Sequence, residues 1–282
     1  MSIDQRKIFD EVSYSCSKSA TTAYSTSFSM GIRLLNERFR NPVYAIYGFV
    51  RFADEIVDTF HDHHKVELME RFRTDTVNAL NDRISLNPIL NSFQQTCYQF
   101  EIGFDLVDTF LQSMEMDLHH KNYDRGGFET YILGSAEVVG LMCLKVFTER
   151  NMDLYATLKP HAMSLGAAFQ KINFLRDMKD DYEGLGRAYF PNLDFRNFSE
   201  RDKAIIEEEI ERDFHHAYRG IVQLPKDARL GVFVAFVYYK SLFLKIKSLP
   251  SNRIMEERIR IPNQRKFALV LSCYVRNNLN LL

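Results

Sequence analysis

Two aspartate pairs at matching spacing carry most of the chemical information in this chain. Asp54 and Asp58 stand four apart in RFADEIVDTF (51–60), behind Arg51, and Asp177 and Asp181 repeat that spacing in NFLRDMKDDYEGLGR (173–187), behind Arg176. On a helix, positions i, i+4, i+7 and i+11 share a face. Tyr47, Arg51, Asp54 and Asp58 therefore form one polar stripe, and Gln170, Asn173, Asp177 and Asp181 form another. Each stripe belongs to an otherwise apolar segment, YAIYGFV before the first pair and LGAAF before the second. A single DxxxD is most simply a surface acid pair: Arg51–Asp54 and Arg176–Asp180 would be ordinary helix ion pairs contributing about 0.3–0.5 kcal/mol each. Two copies near the ends of two apolar helices argue for a site. A helix C-terminus already carries partial negative charge, so four carboxylates at two such ends need a cation between them. Oxygen-only ligands select hard cations, and Mg²⁺ commonly takes one or two carboxylates plus phosphate oxygens. Arginine binds phosphate oxygens in a two-pronged fashion. The chemistry indicated is departure of a diphosphate held by Mg²⁺, with the rest of the substrate in an apolar helical core.

The elements that must position these residues read as helices. Apolar residues recur at spacings of three and four, sustained alternation is scarce, and 12 Gly and 7 Pro punctuate 282 residues. The pattern predicts helices over 4–17, 41–59, 65–82, 88–100, 102–119, 128–149, 152–182, 199–220, 226–247 and 263–280. Asn41 and Pro42 read as an N-cap followed by a first-turn proline. NYDRGGF (122–128) reads as a loop, and EGLGRAYFPN (183–192) should end the long helix. No linker, repeat or low-complexity tract divides the chain, so 1–282 reads as one all-α domain, a layered bundle with room for a central cavity.

With those motifs in place, the sequence resembles the squalene/phytoene synthase family of head-to-head trans-prenyl transferases. YSTSFSMGIRLL (24–35) is similar to the family's Ser-x-Ser-Phe segment, and YAIYGFVRFADEIVD (44–58) to its first aspartate motif. MEMDLHHKNYD (114–124) and YILGSAEVVGLMCLKVF (131–147) resemble the middle blocks. FQKINFLRDMKDDYEGLGRAYFP (169–191) resembles the second motif almost throughout, and GIVQLPKDARLGVFVAFVYYKSL (220–242) and RIRIPNQRK (258–266) the C-terminal blocks. A lone DxxxD is weak evidence; the ordered set, with NxxRDxxxD followed by GRxYFP, is specific. The resemblance implies a single-domain isoprenoid-synthase bundle that joins two allylic prenyl diphosphates with Mg²⁺ or Mn²⁺. It makes Asp54, Asp58, Asp177 and Asp181 the metal-binding acids and Arg51, Arg176 and Asn173 the diphosphate neighbours. Gln170 and Tyr131 correspond to cavity-facing positions. Ser27, Tyr47 and Tyr189 match less decisively, and Arg258 and Arg265 fall in a looser block with an expected phosphate role. Tyr47 and Tyr131 are also candidate proton acceptors, weaker than the released diphosphate because a tyrosine's ordinary pKa is about 10. A few of the 23 Phe and 14 Tyr lining the cavity would stabilise cations through their ring faces.

The blocks look most like bacterial phytoene synthases, which implies two geranylgeranyl diphosphates as substrates, a cyclopropyl diphosphate intermediate and phytoene plus diphosphate as products, in carotenoid biosynthesis. NADPH is not expected. The alternative is a squalene or dehydrosqualene synthase joining two farnesyl diphosphates. A terpene cyclase fits the second motif poorly, and non-catalytic assembly factors related to the family tend to lose the acids retained here.

Other features are plainer. A net charge of −1 gives no general field for nucleic acid. From Lys240 to Arg276, nine Lys/Arg stand against Glu256 and Glu257; this reads as a solvated basic face or, more sharply, as a contact for an anionic membrane surface. Cys16, Cys97, Cys143 and Cys273 are scattered and read as small apolar residues in a reducing compartment. The N-terminal segment is too polar for a signal peptide, and the greasiest stretch, 230–246, is interrupted by Lys240 and falls short of a span. A cytoplasmic protein with peripheral membrane contact is expected; no particular oligomeric state follows. His61, His63, His64, His119, His120, His215 and His216 read as surface or capping residues, and Asp117 as an ordinary helix-end acid. The stripe Val232, Ala235, Phe236 and Tyr239 reads as core.

Overall fold

The computed structural model describes residues 4–119, 122–191, 193, 198–262, 269 and 272–274. Among them the fold is all-α, with a lone bridge between Asn122 and Ala188 in place of any sheet. In chain order the helices are α1 Gln5–Tyr24, α2 Thr26–Arg33, α3 Glu37–Asp58, α4 Lys65–Asp82, α5 Pro88–Phe100, α6 Phe104–His119, α7 Arg125–Ile132, α8 Val138–Thr148, α9 Met152–Asp180, α10 Glu200–Ile221, α11 Lys226–Lys247 and α12 Ser251–Glu256. Two π-helical turns interrupt the pattern, Leu133–Glu137 between α7 and α8 and Asp181–Leu185 at the end of α9.

Helices α3 and α9 matter most, because they carry the two acid pairs. α3 starts earlier than Asn41-Pro42 suggests. Asn36 is its N-cap, accepting from the Arg38 N–H at 3.3 Å, and Pro42 lies inside the helix. Only one intrahelical bond is lost to a proline so near the start. α9 begins at the Asn151 cap and holds 29 residues, about 43 Å of helix at 1.5 Å per residue. One core region is built on Phe39, Phe49, Phe93, Phe110 and Met142 and takes in Tyr155 and Leu158 near the start of α9; a second is built on Phe214, Leu242 and Phe243 and takes in Ile172 and Leu175 toward its end. α9 packs against α8, α10, α11 and α12.

Several boundaries differ from the periodicity. α1 runs on to Tyr24, and Ser25 ends it while capping α2 through the Phe28 N–H at 3.2 Å. The predicted loop 122–128 is partly helix, because Asp124 caps α7 through the Gly127 N–H at 2.7 Å. The continuous helical rod Arg125–Thr148 is long and apolar enough to cross a bilayer by length and composition, and half of its apolar window is buried. Its α8 portion packs on α9, α3 and α6. The predicted helix 263–280 lies mostly outside the described residues, as do Arg265 and His120.

The π turns have physical causes. Gly166 of α9 lies so close to the first that a Cβ there would sit 2.6 Å from the Ala136 carbonyl oxygen. The second is closed by the Arg187 N–H donating to the Asp181 carbonyl at 2.9 Å, with Gly186 in the left-handed region at φ +65°. A left-handed residue is least costly when it is glycine, and the GLGR spelling supplies one where the chain must turn back over the site.

Candidate active site

The two acid pairs meet across the bundle. Arg187, ten positions beyond Asp177 in sequence, reaches the other pair: its Nη1 lies 2.6 Å from Asp58 Oδ1, and its Nη2 donates to the Val57 carbonyl at 3.1 Å. The carboxylates also feel one another. Burial, and then the charge of Asp58, push Asp54 up to about 7 despite the opposing Arg51. Burial, then Asp177 and Asp58, push Asp181 up to about 8. Each of these shifts means that the charged form is disfavoured and that a cation would be welcome.

Arginines already attend most of the acids. Arg51 donates to Asp54 at 2.7 Å, bonds Glu55, and lies over the Tyr24 ring at 4.4 Å. Arg176 grips Asp177 with Nε at 2.9 Å and Nη2 at 2.5 Å, and Arg258 adds an ion pair to the same carboxylate at 2.7 Å. Asp181 makes no ion pair among the described residues. The donor set is all oxygen and short of positive charge, which fits a hard divalent cation such as Mg²⁺. Among the described residues no three His, Cys, Asp or Glu side chains are gathered to hold an ion unaided, so further oxygens would have to come from phosphate or water.

Beneath the acids an apolar cavity of about 360 Å³ runs between α2, α3, α8, α9, α10 and α11. Its polar end carries Arg51, Asp54, Tyr47, Gln170 and Asn173; Phe147, Leu158 and Leu224 are among the apolar residues that line the rest. The α9 lining extends from Asn173 to Leu158, about 22 Å along the helix axis. An aromatic group lies next to the polar end: Phe28 is 5.6 Å from Tyr47 and 6.0 Å from Tyr239, and Tyr239 stacks on Phe169 at 3.9 Å. The Tyr239 hydroxyl donates to Asn173 Oδ1 at 3.2 Å, and Asn173 donates to Gln170 at 3.3 Å.

A second polar centre lies beside the acids. Asp117, 7% exposed, accepts from Tyr131 at 2.6 Å, Tyr123 at 3.2 Å and Tyr189 at 3.4 Å, and lies 3.6 Å from Arg187. Burial pushes Asp117 up to about 6.

Most residues singled out from the sequence converge here. Asp54, Asp58, Asp177, Asp181, Arg51, Arg176, Arg258, Gln170, Asn173 and Tyr47 surround the polar end. Tyr131 lines the cavity but turns its hydroxyl to Asp117. Tyr189 is buried beside it, stacked on Phe174 at 4.0 Å, and does not line the cavity; nor does Ser27, which is half-buried on α2. Burial raises both Tyr47 and Tyr131 above the ordinary tyrosine value, which disfavours the phenolate a proton acceptor needs.

Three readings require correction. Asp117 is a buried hub rather than an ordinary helix-end acid. Val232, Ala235 and Tyr239 line the cavity, and of that stripe Phe236 and Tyr239 belong to the core as read, Phe236 against Phe214, while Tyr239 serves both. His216 is no plain surface residue: its Nδ1 is 2.7 Å from Ser164 Oγ, and its carbonyl accepts from His161 at 2.8 Å, joining α10 to α9. Sequence reasoning also missed Arg187, although GRxYFP contained it. The described basic residues of the 240–276 segment are partly engaged: Lys247 pairs with Glu211, Arg253 with Glu256, and Lys245 donates to the Arg260 carbonyl.

The family model described as squalene/phytoene synthase matches residues 21–265. The chain is 30% identical over 247 residues to a phytoene synthase of Cereibacter sphaeroides, covering 77% of this chain and 67% of that protein. It is 26% identical over 294 residues to a 15-cis-phytoene synthase of Synechocystis sp., covering 94% and 86%. It is 29% identical over 197 residues to a 4,4'-diapophytoene synthase of Staphylococcus haemolyticus, covering 67% and 65%. Among solved structures, a dehydrosqualene synthase in complex with a ligand superposes with a TM-score of 0.80 at 20% identity, covering 94% of this chain and 96% of that one. A squalene synthase from Alicyclobacillus acidocaldarius superposes with a TM-score of 0.75 at 16% identity, covering 89% and 97%.

Proposed function

The chain belongs to the squalene/phytoene synthase family of head-to-head prenyltransferases, and from that premise we propose that it is a phytoene synthase joining two geranylgeranyl diphosphates. The observation that carries the reading is the meeting of both acid pairs and their arginines at the polar end of a long apolar cavity. Its depth along α9 suits a C20 chain, and phytoene synthases stand among the relatives at 26–30% identity.

Asp54, Asp58, Asp177 and Asp181 would hold Mg²⁺ or Mn²⁺, which when bound neutralises charge on a departing diphosphate. Arg51, Arg176 and Arg258 bind its oxygens, and Gln170 and Asn173 orient the first carbons of the chain. The C–O bond breaks and its electron pair leaves with the diphosphate. The C2=C3 double bond of the second substrate attacks the resulting allylic cation, and loss of a proton closes a cyclopropane that keeps one diphosphate. A second ionisation and rearrangement give a linear cation, which loses a proton to become phytoene. No reductant enters that balance, so NADPH is not required. The ring faces of Phe28, Tyr47, Phe169 and Tyr239 stabilise the passing cations. The released diphosphate takes the protons, since burial makes the phenolates of Tyr47 and Tyr131 poorer bases. Greasy substrates and product call for transient contact with a bilayer.

A second reading is condensation of two farnesyl diphosphates, favoured by the diapophytoene synthase relative and the dehydrosqualene synthase structure. Product analysis with C15 and C20 diphosphates side by side, with Mg²⁺ and with or without NADPH, separates the two. A C40 hydrocarbon formed without NADPH is expected; preference for the C15 substrate moves the assignment to the second reading, and no hydrocarbon from either overturns both.

A further inference from the structure

Arg187 serves two carboxylates at once. Its Nη1 lies 2.6 Å from Asp58 Oδ1 and 3.6 Å from Asp117 Oδ2, and the same nitrogen donates to the Tyr189 hydroxyl at 3.2 Å. The two acids are not equivalent. The Asp58 side chain is 34% exposed, on the wet side where an ion would arrive, whereas that of Asp117 is 3% exposed behind it. Asp117 does not line the cavity, so contact with substrate does not explain it. A buried carboxylate is costly unless paired and bonded, and this one is bonded by three tyrosines and faced by one arginine.

The base of the Arg187 side chain is also fixed. Its N–H donates to the Asp181 carbonyl, Gly186 before it holds the left-handed turn, and Ala188 after it bridges to Asn122. The guanidinium thus starts from the end of the second acid motif and finishes on the first, with Asp117 pulling from behind.

Building on the proposed function, we propose that Arg187 is a built-in counter-ion for the acid cluster, and that Asp117 is a positioning residue whose pull on Arg187 sets how readily Asp58 is released to a divalent ion. An arriving ion competes with the Arg187–Asp58 bond. Asp117 weakens that bond by offering the guanidinium a second partner. When the charge of Asp117 is removed, Arg187 has one carboxylate left and holds it harder.

The proposal has a sign that simple structural damage does not reproduce. Binding of Mn²⁺ in the presence of inorganic pyrophosphate, read by the loss of the free-ion electron paramagnetic resonance signal, measures it without turnover. Asp117→Asn keeps the shape and removes the charge; it should weaken Mn²⁺ binding about tenfold, the change that corresponds to about 1.4 kcal/mol. Arg187→Lys replaces a fork able to reach Asp58, Tyr189 and the Val57 carbonyl together by a compact ammonium; it should tighten Mn²⁺ binding several-fold. Damage to the site would weaken binding in both variants. Arg187→Lys carries the test alone if Asp117→Asn does not fold. Affinities within twofold of the parent, or weaker binding in Arg187→Lys, overturn the proposal and leave the functional reading intact. A parent protein that binds no Mn²⁺ with pyrophosphate overturns the functional reading, and the proposal with it.

Discussion

Replacing Asp181 with asparagine should stabilise the metal-free protein while removing its response to metal. Burial and the charges of Asp177 and Asp58 raise Asp181 from 3.8 to about 8. A carboxyl raised on folding holds its proton more tightly in the folded than in the unfolded chain. Its contribution to stability is therefore complete below about pH 4 and is lost as pH climbs toward 8. The full displacement corresponds to roughly 6 kcal/mol at alkaline pH. Charge shared with Asp58 and Asp177, and the remaining access of water, reduce what one substitution returns to about 2 kcal/mol. For a chain of this size that raises the melting temperature by about 5 °C, at roughly 2–4 °C per kcal/mol. Thermal melts in chelator at pH 5 and pH 8.5 test it. The variant should melt close to the parent at pH 5 and about 5 °C above it at pH 8.5. Mg²⁺ with pyrophosphate should raise the melting temperature of the parent and leave the variant nearly unmoved. An equal difference at both pH values, or a variant less stable at pH 8.5, would refute the reasoning that this acid is held at the expense of the fold.

Three further outcomes follow from single contacts. Gly186→Ala meets no neighbouring atom but keeps φ at +65°, so it should cost about 1–2 kcal/mol in denaturant titrations and reduce activity further by shifting Arg187; Gly184→Ala, with open space and no positive φ, should match the parent. Gly166→Ala drives a methyl against the Ala136 carbonyl and should destabilise by about 1–3 kcal/mol, with the product distribution of the cavity as the second readout. Tyr131→Phe keeps the ring but removes the 2.6 Å donor to Asp117; a loss of about 1–2 kcal/mol with activity reduced but present is expected, and complete loss of turnover in a folded variant would make the hydroxyl a reacting group.

The helices and the two acid stripes were legible because both depend on local geometry. The rows Tyr47–Arg51–Asp54–Asp58 and Gln170–Asn173–Asp177–Asp181 arise from 3.6 residues per turn, and the boundaries of α4 and α5 came out as the periodicity implies. The start of α3 was misplaced because Asn36 and Asn41 are both credible caps, and only the packed chain, with the Asn36 N–H on the Asp227 carbonyl at 2.9 Å, distinguishes them. α2 was lost because eight residues are too few for periodicity to speak.

What the chain's spelling determined by itself was that two apolar helices carry oxygen-rich ends suited to a cation and a phosphate. Tertiary structure alone decided that these ends face each other, that Arg187 bridges to Asp58 across 129 residues of sequence, and that Asp117 is the anchor behind it. The reason is range: a helix face is written every three or four residues, whereas the meeting of two helix ends depends on how every side chain between them packs.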